Sequence, residues 1–432
     1  MQDDTDRKSL RKRSWNTTKL AARLGIAAAT RAIGLELPQS NEQAVAKAVA
    51  LVNQFDGMKG LMLKFGQMAS YLNTTLPPDA QKILASLQSA ATAMPYAAVA
   101  GQIEASLGAL VSDLFDQFET DAFAAASIGQ VHRAVLHNTP VAVKVQYPGI
   151  QTLIENDLNN VGLFAQLLLM GSKMDGAALA GELSQRLLEE CDYQLEAQRQ
   201  QAIGAVWNRL PGRVVPRVFL DRCSHQVITS SFEAGTGFAD YCAQADEATR
   251  RNSSLIIFES TFEGIFRHGF FNGDPHPGNF LFRDNGDVVF LDFGCLRTFD
   301  DDFLLAWKSM AQAVLDNNER RFREAHTAMG FVANAKKFDW EFQWSMVRYL
   351  YEPFLSTRPY RYNKQYVQAN YERLIWKNRN RWHMTLPPNQ LFVNRLQWGL
   401  ASVLADLNVE AVYCDIFRAA VEARVERIPG LR

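Results

Sequence analysis

The sequence predicts an α+β fold in which a helical amino-terminal extension is followed by a small β-rich lobe and a larger α-rich lobe. From about residue 17 to residue 110 the chain is rich in alanine, and its apolar residues recur at helical spacing. After residue 123 come short β-rich runs such as VAVKVQY, which has the composition of a buried strand. Beyond Gly235 the pattern is helical except for one hairpin around Asn285-Gly286, a pair typical of a type I′ turn with positive φ at both residues.

These changes of pattern predict four segments. We expect a basic tail over residues 1–16, the helical extension over 17–120, the β-rich lobe over 121–235 and the α-rich lobe over 236–432. Within the β-rich lobe, residues 213–220 and 226–231 are two further strand candidates, and residues 150–170 and 177–207 are predicted helices.

The composition of the 432 residues, 47% hydrophobic and 21% charged with a formal net charge of −1, is that of an ordinary soluble globular protein. The five cysteines show no CxxC or Cys/His ligand spacing, which argues against a disulfide framework or a zinc site. We therefore predict the cytoplasm or an equivalent reducing compartment. No apolar run reaches the roughly 18 to 20 residues that a membrane span needs, so we expect no transmembrane segment.

Two segments carry a local excess of positive charge. Residues 7–31 contain eight basic residues and no acidic one, which fits either a solvated tail or a peripheral contact with an anionic membrane surface. Residues 358–382 interleave aromatic and basic side chains, a composition that would suit single-stranded nucleic acid. Because it equally suits a helical lobe that packs its rings inward, we favour that second interpretation and expect no nucleic-acid partner.

The stretch AAASIGQV, residues 124–131, resembles the phosphate-covering pattern GxGxxGxV, with alanine at two glycine positions. Thirteen residues further on, Lys144 lies within a predicted buried strand, where an ammonium group needs an anion. We expect this segment to form a stiffer phosphate-binding loop than glycines would give, and the backbone after the third strand to hold the adenine ring. The predicted nucleotide-binding residues are Ala124, Ala125, Ala126, Ser127, Ile128, Gly129, Val131, Lys144, Phe232, Glu233 and Ala234.

An acidic cluster follows on the helix predicted over residues 177–207. At about 100° per residue, Glu189, Asp192 and Glu196 fall on one face, and Glu190 lies elsewhere on the helix. Like charges at this spacing destabilise a helix, so the cluster indicates cations supplied from outside it, although a solvated acidic face remains the alternative. Lys144 could pair with Glu196, the ion pair that positions nucleotide phosphates in kinases.

Farther along, DPHPGN places Asn279 five residues after Asp274, the spacing of a kinase catalytic loop in which the aspartate orients the attacking hydroxyl and the asparagine holds a metal ion. Asp292 opens Asp-Phe-Gly eighteen residues after Asp274, where an aspartate would bind magnesium. The alternative is that these aspartates only cap turns. The joint order of the motifs predicts a protein-kinase-like two-lobe fold with catalytic residues Asp274, Lys144 and Glu196, and metal ligands Asn279 and Asp292.

Together with LMLKFGQMAS and EECDYQLEA, these motifs resemble those of the UbiB family of atypical kinases, which includes the ADCK proteins, over about residues 20–425. The resemblance implies a kinase-like fold, binding of ATP or ADP with Mg²⁺, and a KxGQ segment that covers the active site. It also implies that Lys64 pairs with Glu190, that Lys144 pairs with Glu196, and that the cover consists of Lys64, Gly66, Gln67, Glu190 and Asp192. An ATPase-like activity that supports coenzyme Q or other isoprenoid lipid metabolism is implied as well, with isoprenoid lipids or lipid-synthesis enzymes as partners.

Some features depart from conventional protein kinases. No APE motif follows Asp-Phe-Gly, and Asn272-Gly273 stand where His-Arg usually precede the catalytic aspartate, so we expect no activity on peptides. Two alternatives remain: a nucleotide-gated lipid- or protein-binding module with little turnover, and a small-molecule phosphotransferase. The carboxyl-terminal VEARVERIPGLR is charged, whereas bacterial members of the family usually end in membrane-spanning helices, so any membrane contact is expected from residues 7–31 or from a partner.

Overall fold

The structure is a computed structural model that describes residues 94–126, 128–152, 154–155, 188–273, 275–380, 382–385 and 399–431. The described residues form two compact units. The first comprises those up to Tyr193 together with Arg222–Thr229, and the second comprises Gln194–Asp221 and those from Ser230 onwards. The tail and most of the helical extension lie outside the described residues, and the predicted segment boundaries stay predictions.

The first unit is built on an antiparallel sheet in the order β1–β3–β4–β6, with β2 also paired to β3. Helix α1 packs against β4, and its Val99 and Ile103 are fully buried opposite a strand whose alternate valines are fully buried too. The elements of this unit are α1 (Tyr96–Leu107), α2 (Val111–Leu114), β1 (Gln117–Phe118), β2 (Ala124–Ala126), β3 (Gly129–Leu136), β4 (Thr139–Gln146) and β6 (Val227–Ser231).

The strand predicted from VAVKVQY is therefore confirmed as β4. It is joined to β3 by a two-residue turn at His137 and Asn138, whose φ angles are 50° and 60°. Positive φ at both positions is the geometry of a type I′ turn, which matches the right-handed twist of the flanking strands. The Asn138 N–H also donates a hydrogen bond to Asp116 Oδ2 at 3.0 Å.

The second unit is mainly helical and packs around α5, whose apolar side chains meet α11 and β8. Helix α5 begins where the Asp246 carboxylate accepts a hydrogen bond from the Thr249 N–H at 2.7 Å. The helices of the second unit are α3 (Tyr193–Trp207), α4 (Phe238–Gln244), α5 (Glu247–Phe266), α6 (Asp301–Leu315), α7 (Glu319–Ala328), α8 (Trp340–Leu350), α9 (Glu352–Leu355), α10 (Lys364–Tyr371) and α11 (Cys414–Glu422). Residues 399–407 are also helical.

Three small sheets complete this unit, in the orders β5–β10–β9–β7, β8–β11 and β12–β13. The strand expected over residues 213–220 is shorter than predicted, since Pro216 has no N–H to donate and only one bridge, Val218 to Ser230, follows β5. The strands are β5 (Arg213–Val214), β7 (Thr236–Gly237), β8 (Phe270–Asn272), β9 (Phe280–Phe282), β10 (Val288–Phe290), β11 (Leu296–Thr298), β12 (Tyr360–Arg361) and β13 (Glu410–Ala411).

The hairpin predicted around Asn285-Gly286 is confirmed, because β9 and β10 pair in antiparallel register. The predicted type I′ turn is wrong. Gly286 has a φ of 84°, but Asn285 is not among the residues with positive φ, and the Gly286 N–H donates to the Arg283 carbonyl at 2.8 Å. A turn that ends in one left-handed glycine produces a bulge, so the loop is longer than two residues.

Among the described aromatic side chains of residues 358–382, Tyr362 and Tyr366 support the rings-inward interpretation, whereas Trp382 is 45% exposed. Tyr362 and Tyr366 are 3% and 6% exposed, and their ring centroids lie 5.7 Å apart at near-perpendicular angles. The Tyr366 hydroxyl donates to the Leu350 carbonyl at 2.8 Å, so its polar end is satisfied inside the core.

None of the helices among the described residues is long and apolar enough to cross a membrane. The five cysteines all lie within the described ranges, and none of them forms a disulfide bond.

A chain of amide contacts determines which ring nitrogen of the buried His326 carries the proton. Asn380 is oriented by the Asp339 backbone, because its Oδ1 accepts from the Asp339 N–H at 2.7 Å and its Nδ2 donates to the Asp339 carbonyl at 2.9 Å. The same Nδ2 donates to Gln343 Oε1 at 3.2 Å, which turns the Gln343 amide nitrogen towards His326 Nε2 at 3.0 Å. His326 Nε2 must therefore accept, and the neutral ring carries its proton on Nδ1.

Burial lowers the pKa of His326 from 6.5 to about 4. Because the unfolded chain binds this proton more readily, the free energy of unfolding should fall as the pH drops below 6.5, by about 3 kcal/mol once the pH is below 4. Urea unfolding between pH 7 and pH 4.5 measures this slope. His326→Gln, which stays neutral, should show a smaller one, and an equal slope in both proteins would contradict the assignment.

Candidate active site

The segment predicted as a phosphate-binding loop is a tight β-hairpin. Ala124 pairs with Val131 and Ala126 pairs with Gly129, so the strands close up to the turn itself. Ser127 lies outside the described residues. Ile128 is only 2% exposed, and its carbonyl accepts from the Tyr147 N–H at 2.9 Å. Ala125 is exposed on β2. Ladder pairing supports the expectation that this segment is stiffer than a glycine-rich loop.

Three of the predicted nucleotide-binding residues lie in one row across the sheet. Ala124 is opposite Val131 in the β2–β3 ladder, and Val131 is opposite Lys144 in the β3–β4 ladder. Directly opposite residues of antiparallel strands point to the same face, so these three side chains share one face of the sheet. The buried valines Val141, Val143 and Val145 occupy the other face.

Gly129 lies at the closest approach of β3 and β4. A methyl group in place of its hydrogen would be 2.2 Å from the Val145 carbonyl oxygen and 2.9 Å from the carbonyl carbon. Of the glycine positions in the GxGxxGxV pattern, this one is therefore required by packing against the backbone.

Lys144 is half-buried, and its ammonium nitrogen lies 4.6 Å from the centroid of the Tyr193 ring, within the range of a cation–π contact. Tyr193 is the first residue of α3, the helix that carries Glu196. The pairing of Lys144 with Glu196 stays a prediction.

The helix predicted over residues 177–207 is interrupted at Cys191 and Asp192. Residues 188–190 are helical, and the helix starts again at Tyr193. Gln146 Nε2 donates to the Cys191 carbonyl at 2.6 Å, and the Tyr193 N–H donates to the His225 carbonyl at 3.1 Å, so the Tyr193 N–H does not continue a helical ladder. The shared face proposed for Glu189, Asp192 and Glu196 is therefore wrong, because it requires an unbroken helix.

Asp192 accepts a hydrogen bond from His225 Nδ1 at 2.9 Å. Glu190 precedes the interruption and is half-buried. The predicted partners of these two acidic residues in the active-site cover, Lys64, Gly66 and Gln67, lie outside the described residues. The composition of the cover stays a prediction.

In the second unit, two ladders bring the DxxxxN and Asp-Phe-Gly segments together. Pairing of β8 with β11 sets Asn272 opposite Leu296, and the Gly273 N–H donates to the Cys295 carbonyl at 2.7 Å. Asn272 Nδ2 also donates to the Asp292 carbonyl at 2.7 Å. The two residues that precede the DxxxxN motif are thus hydrogen-bonded to the Asp-Phe-Gly segment and the residue after it.

The second contact involves the predicted metal ligands. A short 3₁₀ turn over Pro277–Asn279 precedes β9, and the Asn279 carbonyl accepts from the Leu291 N–H at 3.0 Å, one residue before Asp292. Asp292 Oδ1 accepts from the Gly294 N–H at 2.8 Å. Asn279 and Asp292 are therefore held next to each other at adjoining strand ends. Asp274 lies outside the described residues, so its role stays a prediction.

Helix α3 contributes two buried charged residues next to the Asp-Phe-Gly segment. Glu196 and Arg199 are 3% and 6% exposed. A methyl group at Gly294 would lie 3.3 Å from Asp292 Oδ1 and 3.6 Å from Glu196 Oε2, and Arg199 donates to the Gly294 carbonyl at 2.9 Å. The carboxylates of Glu196 and Asp292 therefore approach the same glycine.

The predicted adenine-binding backbone, Phe232 to Ala234, follows β6 without regular structure. Glu233 accepts a hydrogen bond from Ser231 at 2.7 Å and forms an ion pair with Arg283 at 2.9 Å. This ion pair ties the segment to the hairpin that leads to Asp292.

The donor set at Asn279 and Asp292 fits Mg²⁺. One carboxylate and one amide oxygen are oxygen ligands, and Mg²⁺ is usually bound by one or two such groups together with water and phosphate oxygens. A dedicated cage of protein ligands is not required for this ion.

The sequence prediction did not include four residues that organise the site: Gln146, Arg199, His225 and Asn272. Asn272 stands where conventional kinases have a histidine, and that replacement gives no sign of its hydrogen bond to the Asp292 carbonyl. For Arg199 the sequence does contain a signal of its place in the site, because a basic residue three positions after Glu196 lies on the same face of the helix as Glu196.

Comparisons with known proteins agree with this architecture. A sequence model of the ABC1 atypical kinase-like domain matches residues 86–326. The chain is 30% identical over 326 residues to Atypical kinase COQ8, mitochondrial, of Saccharomyces cerevisiae, covering 72% of this chain and 64% of that protein. It is 30% identical over 315 residues to Probable protein kinase UbiB of Aeromonas hydrophila, covering 70% of this chain and 57% of that one.

The chain spans 37% to 64% of the length of the first curated relatives it matches. Among solved structures, that of the Rv3197–erythromycin complex from Mycobacterium tuberculosis matches with a TM-score of 0.65 and 24% identity, covering 85% of this chain and 91% of that one. This likeness concerns the fold, and the predicted α+β, kinase-like class is confirmed. From the domain match and the two relatives, the chain belongs to the ABC1 atypical kinase-like family, the family of the COQ8 and UbiB proteins.

Proposed function

We propose that the protein is a UbiB-type atypical kinase or ATPase that binds an adenine nucleotide with Mg²⁺. The observation that carries the proposal is the joining of the DxxxxN and Asp-Phe-Gly segments by backbone hydrogen bonds and by one from the Asn272 side chain, which holds Asn279 beside Asp292. Turn caps alone would not need two motifs, separated in sequence, to meet at adjoining strand ends.

In this proposal Asn279 and Asp292 hold the metal ion, and bound Mg²⁺ supplies charge neutralisation of the phosphates. Lys144 and Glu196 position the nucleotide phosphates, and the hairpin from Ala124 to Val131 covers them. Asp274 aligns water or an acceptor hydroxyl. Phe232 to Ala234 contact the adenine ring, and Lys64, Gly66, Gln67, Glu190 and Asp192 close the site.

The relatives named COQ8 and UbiB lead us to propose a role in coenzyme Q or other isoprenoid lipid metabolism, with an isoprenoid lipid or a lipid-synthesis enzyme as partner. Peripheral membrane contact through residues 7–31 is part of the same proposal. The relative from yeast is named as mitochondrial, and for this chain a cytoplasmic or equivalent reducing compartment stays a prediction.

Nucleotide binding is tested by thermal unfolding. With Mg-ADP or Mg-ATP at a hundredfold over its dissociation constant, the folded state should gain about 2.7 kcal/mol, seen as a rise in the unfolding temperature. Mg-GTP at the same concentration and the nucleotide with a chelator serve as controls. If no adenine nucleotide shifts the transition, the proposed function is wrong.

A second candidate is a nucleotide-gated binding module with little turnover. The closed pairing of Ala126 with Gly129 favours it, because a hairpin paired up to its turn adjusts less around phosphates than a glycine loop does. Steady release of phosphate from ATP distinguishes the two candidates: the enzyme releases it continuously, and the gated module does not. A small-molecule phosphotransferase, the more distant alternative, would need an added hydroxyl or amine substrate for turnover.

A further inference from the structure

A short segment near the carboxyl terminus lies along the turn that joins α5 to β8. The Glu426 N–H donates to the Arg267 carbonyl at 2.7 Å, and the Glu426 carbonyl accepts from His268 Nδ1 at 2.7 Å. His268 and Ile428 are each 5% exposed. The backbone of residues 426–428 is therefore fixed against this turn, although the proposed chemistry gives the segment no role.

Arg427, in the middle of this segment, bridges two backbone carbonyl groups with its guanidinium. Nη1 donates to the Gly269 carbonyl at 3.0 Å, and Nη2 donates to the Phe299 carbonyl at 2.7 Å. Nη2 also forms an ion pair with Asp301. Because the planar guanidinium holds its N–H groups in fixed directions, it can join two neighbouring acceptors, a role for which a single ammonium group is poorly suited.

The two residues that Arg427 joins form an end rung of the β8–β11 ladder. The Phe299 N–H donates to the Gly269 carbonyl at 2.9 Å, which continues the antiparallel register of β8 and β11. At the opposite end of the ladder, the Gly273 N–H donates to the Cys295 carbonyl at 2.7 Å. A short two-stranded ladder is only marginally stable by itself, so its pairing depends on contacts at its ends.

The opposite end of this ladder is part of the candidate active site. Asn272, the last residue of β8, donates from Nδ2 to the Asp292 carbonyl at 2.7 Å. Extended strand rises about 3.4 Å per residue, so Gly273 lies about 14 Å along the ladder from Gly269. We propose that Arg427 is a positioning residue that keeps the ladder paired and thereby holds Asp292 in place for the metal ion. The inference rests on the proposed function for the role of that ion.

The test compares hydrogen exchange in Arg427→Met and in the wild type, in the full chain without nucleotide or metal. Methionine keeps much of the apolar stem of arginine but donates no hydrogen bond. We expect exchange at both the Phe299 and the Gly273 amides to quicken about tenfold, the factor that corresponds to the loss of a hydrogen bond from a charged group. Arg427→Lys, which keeps the charge but not the planar fork, should show the same pattern and is the second variant if Arg427→Met fails to fold.

Arg251→Met is the matched control. Arg251 Nε donates to the Glu410 carbonyl at 2.6 Å, and its guanidinium pairs with Glu247 at 3.3 Å. The variant therefore removes the same kinds of contact elsewhere in the second unit. It should leave exchange at the Gly273 amide unchanged.

Two results of the exchange measurement would overturn the proposal. Quickened exchange at Phe299 alone would show that Arg427 orders only its immediate neighbours. Equal quickening at Gly273 in Arg427→Met and Arg251→Met would show a general loss of stability.

Positioning of the metal site is tested by the Mg²⁺ dependence of phosphate release. Loss of a group that orients a metal ligand costs roughly ten- to a hundredfold in metal affinity. We therefore expect the Mg²⁺ concentration at half-maximal rate to rise about tenfold in Arg427→Met and to keep the wild-type value in Arg251→Met. A merely structural role would lower the rate with the amount of folded protein and leave this concentration unmoved, which would overturn the proposal. Because the exchange measurement needs no nucleotide, it tests Arg427 even if adenine nucleotides give no thermal shift and the proposed function is rejected.

Discussion

Asp292→Asn should abolish steady phosphate release from ATP and leave the fold intact. The amide oxygen can still accept the hydrogen bond from the Gly294 N–H, now 2.8 Å long, and the Asn272 contact is made to the backbone carbonyl, which is unchanged. What is lost is the negative charge that we propose to bind Mg²⁺. Charge stabilisation by such an ion is worth several kcal/mol in the transition state, so a loss of about a hundredfold or more in turnover is expected.

The matched control is Asp287→Asn, the same chemical change at the other end of β10. Asp287 contacts Asn285 in the hairpin loop and takes no part in the proposed site. Phosphate release at saturating Mg-ATP, together with unfolding temperature, separates activity from stability. If Asp292→Asn keeps half of the wild-type rate, or if both variants lose activity equally, the metal assignment is incorrect.

Gly129→Ala should be strongly destabilising. Its methyl group would meet the Val145 carbonyl oxygen at 2.2 Å, and since that neighbour is backbone within a paired strand, the β3–β4 ladder has to move. Overpacking of this kind typically costs 1 to 3 kcal/mol, and a rigid backbone neighbour places the expected loss at about 3 kcal/mol. Urea unfolding followed by circular dichroism measures it.

Gly101→Ala is the control, and we expect it to change the free energy of unfolding in the opposite direction. Gly101 is exposed in the middle of α1, and a methyl group there meets nothing within 4 Å. Alanine is the better helix former by roughly 1 kcal/mol, so this variant should be more stable than the wild type. Equal unfolding midpoints for Gly129→Ala and the wild type would show that β3 and β4 are farther apart than the structure places them.

Much of the local structure could be predicted because its cause is local. The alternation of valines specifies β4, and the apolar runs on each side of Asn285-Gly286 specify the β9–β10 hairpin. The order of the motifs along the chain also predicted the kinase-like class. The type of the turn at Asn285-Gly286 could not be predicted in this way, since it depends on how β9 and β10 pair. Two consecutive positive φ angles occur instead at His137-Asn138, in the turn between β3 and β4.

The contacts that organise the site could not be read from periodicity, because they join residues far apart in sequence. Gln146 binds the Cys191 carbonyl across 45 positions, and Arg199 reaches Gly294 across 95. The helical pattern of residues 177–207 gives no sign that a glutamine from strand β4 will donate a hydrogen bond to one of the carbonyl groups of this segment. The unpredicted interruption in the acidic helix follows from that hydrogen bond.

The interruption at Cys191 and Asp192 removes a fixed angular relation between the acidic residues on its two sides. The Tyr193 N–H, at the start of α3, donates to the His225 carbonyl and not to the helical turn that ends before Cys191. Glu190, the acidic group expected to meet the extension, and Glu196, the one expected to meet the phosphates, therefore lie on opposite sides of the break, and the 100° spacing of one continuous helix does not set the direction of one from the other.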